Sequence, residues 1–424
     1  MGMREAAGAH GPVHGPRVEM AADGSADFAL NGRIPAGVLR PKTEEESAAA
    51  VAWAVDARMG LVPWGGGTEV QHGNPVASPR WAVLSSELLN QVLDYSPDDM
   101  VVTCQAGVTL AALSERLRSH RQFLPIDAPH PDRATMGGIV AGNSQGLWRP
   151  LFGAPRDRLL GLRAVMADGQ TVKGGGKVVK NVAGYDLCKL FAGSRGTLGF
   201  LTEVTFKTSP LPECCRHVVF RAQDAAAAVR AGLAVHAARL QPLYATVAYA
   251  GHVHLCVGLQ GSAAAVAWQA DRVAEACSEE GLAPSDEGPS DQHLRILVAD
   301  SPAPVKLRFT LRPWDLVGLL RGLEALGQRG AGLTLAAHVP TGIVAVAMQP
   351  GAPDAESAVR LARAARLQVG GECHLVWTRL PESWRPSVGD VWGPTRGDFP
   401  LMRSLKRALD PDGLFSPGRF VGRL

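Results

Sequence analysis

Glycine recurs in three clusters within the first half of the chain, and each lies between segments that read as buried strands or short helices. The clusters are "WGGGTEVQHG" (64–73), "TMGGIVAGN" (135–143) and "GGGKVVKNVAGYDLCKLFAGSRGTLGF" (174–200). The third is the most restrictive. A linker has no use for Tyr185, Leu187, Leu190 and Phe191, which recur at helical spacing, and a long packed helix would not carry so many glycines. The pattern fits a short helix flanked by bare backbone, as needed where main chain closely approaches a ligand. Exposed N–H groups on such backbone suit phosphate, and three such loops within one domain point to a site more than one loop alone does. The known short nucleotide motifs do not fit. "GGGTEV" lacks the Lys of a Walker A loop, and no G-x-G-x-x-G follows a strand and opens a helix.

Around these clusters the chain alternates helix and strand. Thr43 and Glu46 form a capping box ahead of an apolar helical stripe that ends near Gly60. "LVPW", "WAVLS" and "MVVTCQAG" read as buried strands, and Thr109 caps a further helix. "LLGLRAVMADGQTVKGG" reads as a hairpin with an Asp168-Gly169 turn, and the third cluster closes on the strand "FLTEVTFKTSP". Pro210 and Pro212 mark a boundary, beyond which strand–helix–strand–strand is read twice. That second rhythm predicts an antiparallel sheet with helices on one face. The expected division is a flexible arm (1–35), a cofactor-binding domain (36–209), an α+β cap domain (213–400) and a C-terminal coda (401–424) that returns to the first domain.

The chain has 43 basic and 40 acidic residues and a net charge of +3, too balanced for a nucleic-acid partner. Seven scattered cysteines form no C-x-x-C, which argues for a reduced, cytoplasmic setting and against an iron–sulfur cluster in this chain. No apolar run is long enough to span a bilayer, so no direct membrane insertion is expected and any membrane contact would be peripheral, through partners. The N-terminus lacks the apolar core of a secretory signal.

Four segments in order, "VPWGGGTE", "DAPHPDRATMGGIVAGNSQG", "RPLFGAPRDRLLGLRAVMADGQTV" and "KNVAGYDLCKLFAGSRGTLGFLTEVTF", resemble the FAD-binding domain of the vanillyl-alcohol oxidase / p-cresol methylhydroxylase flavoproteins. The tail "LDPDGLFSPGR" is similar to the D-lactate and glycolate dehydrogenase branch. Within it, the third cluster looks most like the FAD-binding subunit of bacterial glycolate oxidase. The resemblance implies an α+β fold with a p-cresol methylhydroxylase-type FAD domain and noncovalent FAD. It places the diphosphate against Gly65, Gly66, Gly67 and Thr68, and the flavin and ribityl chain along Thr135, Gly137, Gly138, Ala141, Gly142 and Asn143. Gly193, Thr197 and Gly199 would approach from the other side, with Leu201 at the adenine. It further implies a small 2-hydroxy acid as substrate, a companion flavoprotein chain and an iron–sulfur subunit. A self-sufficient 2-hydroxy-acid dehydrogenase of D-lactate type and a cofactor-free assembly protein are the alternative readings.

Several side chains carry two readings. Lys177 and Lys180 are either flavin or carboxylate partners or solvated loop lysines, and Tyr185 is a flavin contact or a core aromatic. Lys306, Arg308 and Thr310 alternate along one strand face and form either a carboxylate anchor or a subunit contact. His252 and His254 are expected on one face of a strand, too few to hold a metal alone, so no metal is expected. The C-terminal histidine motif that supplies the base in catalytic relatives is not legible, and His338 and His374 read as structural. His72 follows the first glycine loop, and a covalent flavin link there is not implied.

Overall fold

The structure is a computed structural model that describes residues 20–21, 25–176, 185–295, 301–328, 332–348, 355–367, 369 and 372–424. Packing begins earlier than position 36. Leu30 is buried with Val38, Val62, Trp64 and Trp81, and Arg33 donates to the carbonyls of Val76 and Ser78 at 2.7 and 2.8 Å. Residues 25–35 therefore belong to the first layer, and the arm expected over 1–35 is too long. An apolar residue and a carbonyl-binding arginine are enough to pin this stretch, although its composition gives no periodic signal.

The first sheet has four strands in the order Met20–Ala21, Val38–Leu39, Trp81–Ser85, Gly60–Trp64, the last three parallel. Its helix, Glu44–Asp56, starts where the capping box requires, with Thr43 Oγ1 accepting from the Glu46 N–H at 3.1 Å. The Glu46 carboxylate reaches one residue further back than in the usual box and accepts from the Lys42 N–H at 2.7 Å. Ala50, Val51 and Ala54 on this helix pack with Leu61 and Leu84 of the first sheet and with Val165 and Phe200 of the second. Glu44 fixes that junction, taking both Arg163 Nε (2.9 Å) and Nη2 (2.5 Å) and the Thr202 hydroxyl.

The second sheet is five-stranded and antiparallel, in the order Val92–Ser96, Val101–Gln105, Phe200–Lys207, Leu159–Val165, Thr171–Gly175. The expected hairpin is thus an edge, and the third glycine cluster carries the chain from that edge into the sheet's centre. Within the cluster, the short helix Leu187–Phe191 is capped by Asp186 and buries Cys188 and Phe191. Tyr185 is 96% exposed, so it is not a core aromatic. Lys177 and Lys180 lie outside the described residues.

The C-terminal half is an eight-stranded antiparallel sheet running from Ala283–Pro284 at one edge to Cys373–Arg379 at the other. The helices Ala225–Ala237, Ala263–Glu279, Leu316–Gln328 and Ala355–Leu367 pack on one face. On Val305–Leu311 the residues Val305, Leu307, Phe309 and Leu311 point into that helical core. The alternate positions therefore face the first half of the chain. There Tyr244, Ala248 and Cys256 pack against Leu147, with Trp148, Leu151 and Phe152 beside them.

The tail closes the molecule. Helix Phe399–Leu409 leads into a segment that lies beside Leu61, whose N–H donates to Leu414 O (2.8 Å) and whose carbonyl accepts from Ser416 N–H (2.7 Å). Lys406 locks the arrangement. Its buried Nζ donates to Asp410 (2.5 Å), Thr197 O (2.7 Å) and Phe415 O (2.9 Å).

Candidate functional site

Strand Gly60–Trp64 ends in the first glycine loop, and the indole of Trp64 limits the path that loop can take. Gly67 has φ +69°, and a Cβ there would sit 3.0 Å from the indole nitrogen, so both conformation and space demand glycine. Gly65 and Gly66 press against a neighbouring loop. A Cβ on Gly65 would lie 2.0 Å from Thr135 Oγ1, and one on Gly66 would lie 1.6 Å from Arg133 O. Among the described residues the N–H groups of Gly66, Gly67 and Thr68 have no acceptor. Three successive unsatisfied donors beside a cleft are what a phosphate-binding turn offers.

Helix Met136–Gly142 forms the facing wall. Its first amides are already used, since Met136 and Gly137 donate to Val108 O and Ala106 O, and Gly138 to Thr135 Oγ1. This helix end therefore gives the cleft shape rather than charge. Gly137 is bare because Ala106 leaves no room, its Cβ being 2.7 Å from an added carbon. Gly138 has only Thr135 Oγ1 nearby, at 3.1 Å, and its free side lies on the cleft.

Two clefts share Thr68, Glu69, His72, Gly142, Ser144 and Arg195 and so form one groove. The first runs between the glycine loop, the helix at 136–142, the turn at 194–201 and the tail residues Ser416 and Arg419. The second opens between the loop at 142–149 and the inner face of the large sheet, where Lys306, Arg308, His338 and Arg379 converge. At the junction, Arg195 Nη1 donates to Glu69 Oε2 at 2.5 Å and its guanidinium lies 5.5 Å from the Trp392 ring. Burial opposes ionisation of Glu69, but Arg195, the Ser144 hydroxyl and Arg308 outweigh it and hold the carboxyl below its usual range. His72 stacks on Trp392 with ring centroids 4.1 Å apart, and its buried Nε2 has no partner among the described residues. Burial, then the charges of Arg195, Arg308 and Arg419, keep this imidazole neutral. His338 is pushed down to about 4 by burial and by Arg149, and its Nδ1 faces Thr246 Oγ1 at 3.3 Å. Burial and Arg195 lower Arg308 to about 10, with Glu69 opposing, which still leaves it charged at neutral pH.

The structure brings most of the sequence-derived cofactor positions together. Gly65, Gly66, Gly67, Thr68, Thr135, Gly137, Gly138, Ala141, Gly142, Gly199 and Leu201 line the first cleft, and Asn143 lines the second. Gly193 and Thr197 do not. Gly193 turns behind the helix with its N–H on Val140 O, and Thr197 is buried under the tail with its carbonyl on Lys406. Ser194, Arg195 and Gly196 of the same turn face the cleft instead. Lys306 and Arg308 reach the groove, whereas Thr310 and His374 belong to a separate basic cleft at the sheet's outer edge. His252 sits in the turn before strand Val253–Gly261 rather than on it, so it does not share a strand face with His254. Among the described residues no cluster of His, Cys, Asp and Glu is arranged to hold a metal ion.

Sequence reasoning missed Glu69, Arg195, Arg379 and Arg419. Arg195 stands between glycines with φ +57°, and Arg419 lies in a proline- and glycine-rich tail, so neither carries a periodic signal. Only an arginine placed within a glycine cluster, away from any helix, hints at the first.

Residues 35–175 match a family model described as FAD binding domain, and residues 393–420 match one described as FAD linked oxidases, C-terminal domain. The chain is 32% identical over 209 residues to glycolate oxidase subunit GlcD of Bacillus subtilis, covering 49% of this chain and 44% of that protein. It is 38% identical over 160 residues to glycolate oxidase subunit GlcE of Escherichia coli K12, covering 38% of this chain and 45% of that protein. These matches span less than half the length of either relative. The fold is that of p-cresol methylhydroxylase, with a TM-score of 0.72 at 15% identity over 95% of this chain and 93% of the other. The chain thus carries an FAD binding domain, and the unsatisfied loop amides and the long groove fit that cofactor. Among the described residues no helix is long and apolar enough to cross a membrane.

Proposed function

We propose that this chain is an FAD-dependent oxidoreductase acting on a small 2-hydroxy acid, as the FAD-binding subunit of a glycolate oxidase complex that forms glyoxylate. The observation that carries this reading is the single groove joining the unsatisfied amides of the glycine loop to the half-buried, charged Arg308 on the sheet face. FAD, when bound, supplies the acceptor for a hydride from the α-carbon. The chain's own residues do the rest: loop amides and the glycine-walled cleft hold the dinucleotide, and Arg308 with Lys306 anchors the substrate carboxylate. A companion flavoprotein chain then carries most of the turnover, and electrons leave through an iron–sulfur subunit.

A second reading, a self-sufficient 2-hydroxy-acid dehydrogenase, is favoured by one observation. His72 and His338 both line the groove as neutral imidazoles, so either could accept the hydroxyl proton. Anaerobic mixing of the FAD-loaded chain with excess glycolate separates the two. Slow or absent loss of the oxidised-flavin absorbance, restored by adding the companion chain, supports the subunit reading. Rapid bleaching by the lone chain refutes it and promotes the dehydrogenase.

A further inference from the structure

Arg419 comes from the C-terminal tail, yet it forms part of the glycine-loop cleft. Its Nη1 donates to Asn74 O at 3.3 Å across 345 positions of sequence, and its Nη2 donates to Val70 O. The loop is held at further points, since Asn74 Nδ2 donates to Asp390 (2.9 Å) and to Phe420 O of the tail (3.1 Å). Arg419 is only 7% exposed, and among the described residues no carboxylate lies within ion-pair distance of it. Carbonyl oxygens satisfy some of its donors but do not balance its charge. The nearby charges are of the same sign, Arg385 and Arg195, and burial together with these lowers its pKa to about 10. A buried guanidinium with no counter-charge is costly to keep, and the cost falls if an anion joins it. The same cleft is lined by Gly66, Gly67 and Thr68, whose unsatisfied amides ask for the same partner.

We propose that Arg419 is a cofactor-binding residue whose guanidinium supplies the counter-charge for the diphosphate of the bound dinucleotide. The tail is then one wall of the cofactor site as well as a structural strap. This rests on the reading of the groove as an FAD site, and goes beyond it by assigning charge recognition to a segment far from the glycine loops. A guanidinium suits the task because its planar fork can keep its carbonyl bonds while turning remaining N–H groups to phosphate oxygens.

The test compares the full-length wild type with Arg419→Gln and Arg419→Lys. FAD affinity is measured by quenching of flavin fluorescence, and thermal stability is measured on the apo-proteins. Both substitutions remove the carbonyl bonds and lower apo-protein stability alike. Only Arg419→Gln removes the charge, so its FAD Kd rises about 10- to 100-fold while that of Arg419→Lys stays within about threefold of wild type. Inorganic pyrophosphate raises the Tm of the wild-type apo-protein and not that of Arg419→Gln. Unchanged FAD affinity in Arg419→Gln overturns the proposal. So does an equal loss in both variants that tracks their stability, which makes Arg419 a loop clamp only. If neither variant folds, the wild type decides: absence of stabilisation by pyrophosphate overturns the proposal, and its presence supports it. A wild-type chain that takes up no FAD but is stabilised by pyrophosphate sinks the FAD reading while leaving the anion role of Arg419 standing.

Discussion

Two glycines on opposite walls of the cleft are bare for different reasons, and alanine at each separates folding from cofactor contact. At Gly66 an added Cβ would lie 1.6 Å from Arg133 O and 2.5 Å from its carbonyl carbon, both main-chain atoms. Ordinary contact needs close to 2 Å more, so the 65–68 and 130–135 loops must part, and the bond from Arg133 Nη2 to Gly66 O (3.1 Å) goes with them. Overpacking of this kind costs about 1–3 kcal/mol and the lost bond about 1 kcal/mol, so Gly66→Ala should lose about 2–4 kcal/mol. At Gly138 the nearest atom is the side-chain Thr135 Oγ1, 3.1 Å away, which has to yield only slightly. Alanine within a helix is worth about 0.5–1 kcal/mol over glycine, which offsets that adjustment. Gly138→Ala should therefore fold with wild-type stability, while its methyl group stands on the cleft face and weakens FAD by at least about tenfold. Denaturant unfolding of the apo-proteins and fluorescence titration with FAD measure both quantities. Wild-type stability in Gly66→Ala refutes the loop-against-loop account. Wild-type FAD affinity in Gly138→Ala refutes the placement of the cofactor against this helix.

Lys406→Met leaves Asp410 buried without its ammonium partner and should cost about 3–5 kcal/mol, seen as a lower denaturation midpoint. His338 is neutral in the fold down to about pH 4 but gains a proton near 6.5 when unfolded, so the unfolded state binds more protons between these values. Wild-type stability should then fall by about 3 kcal/mol as pH drops from 6.5 to 4, relative to His338→Asn measured alongside, and parallel pH profiles would count against it. Arg308→Met should leave FAD affinity within about threefold while raising the glycolate concentration needed to perturb the flavin spectrum at least about tenfold; equal glycolate affinity removes the carboxylate anchor.

The alternating strands and helices, the helix caps at Thr43 and Thr109, and the antiparallel second half were legible because each depends on neighbours a few residues away. That the three glycine clusters bring bare backbone to one cleft was legible for a related reason. Bare backbone is written directly in residue identity, whatever the chain does elsewhere. The cause of each glycine was not legible. Gly66 reads as yielding to a phosphate, whereas the atom in its way is the carbonyl of Arg133, 67 positions along the chain. Gly193 and Thr197 read as cofactor contacts and instead serve the packing of the helix at 136–142 and of the tail. The charges of the site depended on tertiary structure throughout. Arg195 meets Glu69, Arg419 meets the loop at 70–74, and Arg308 arrives from the far sheet, each across more than 100 positions of sequence. A local pattern can specify which backbone is bare and which face of a strand is apolar. Which charges face one another, and which are left without a partner, depends on how distant segments pack, and only the folded chain decides that.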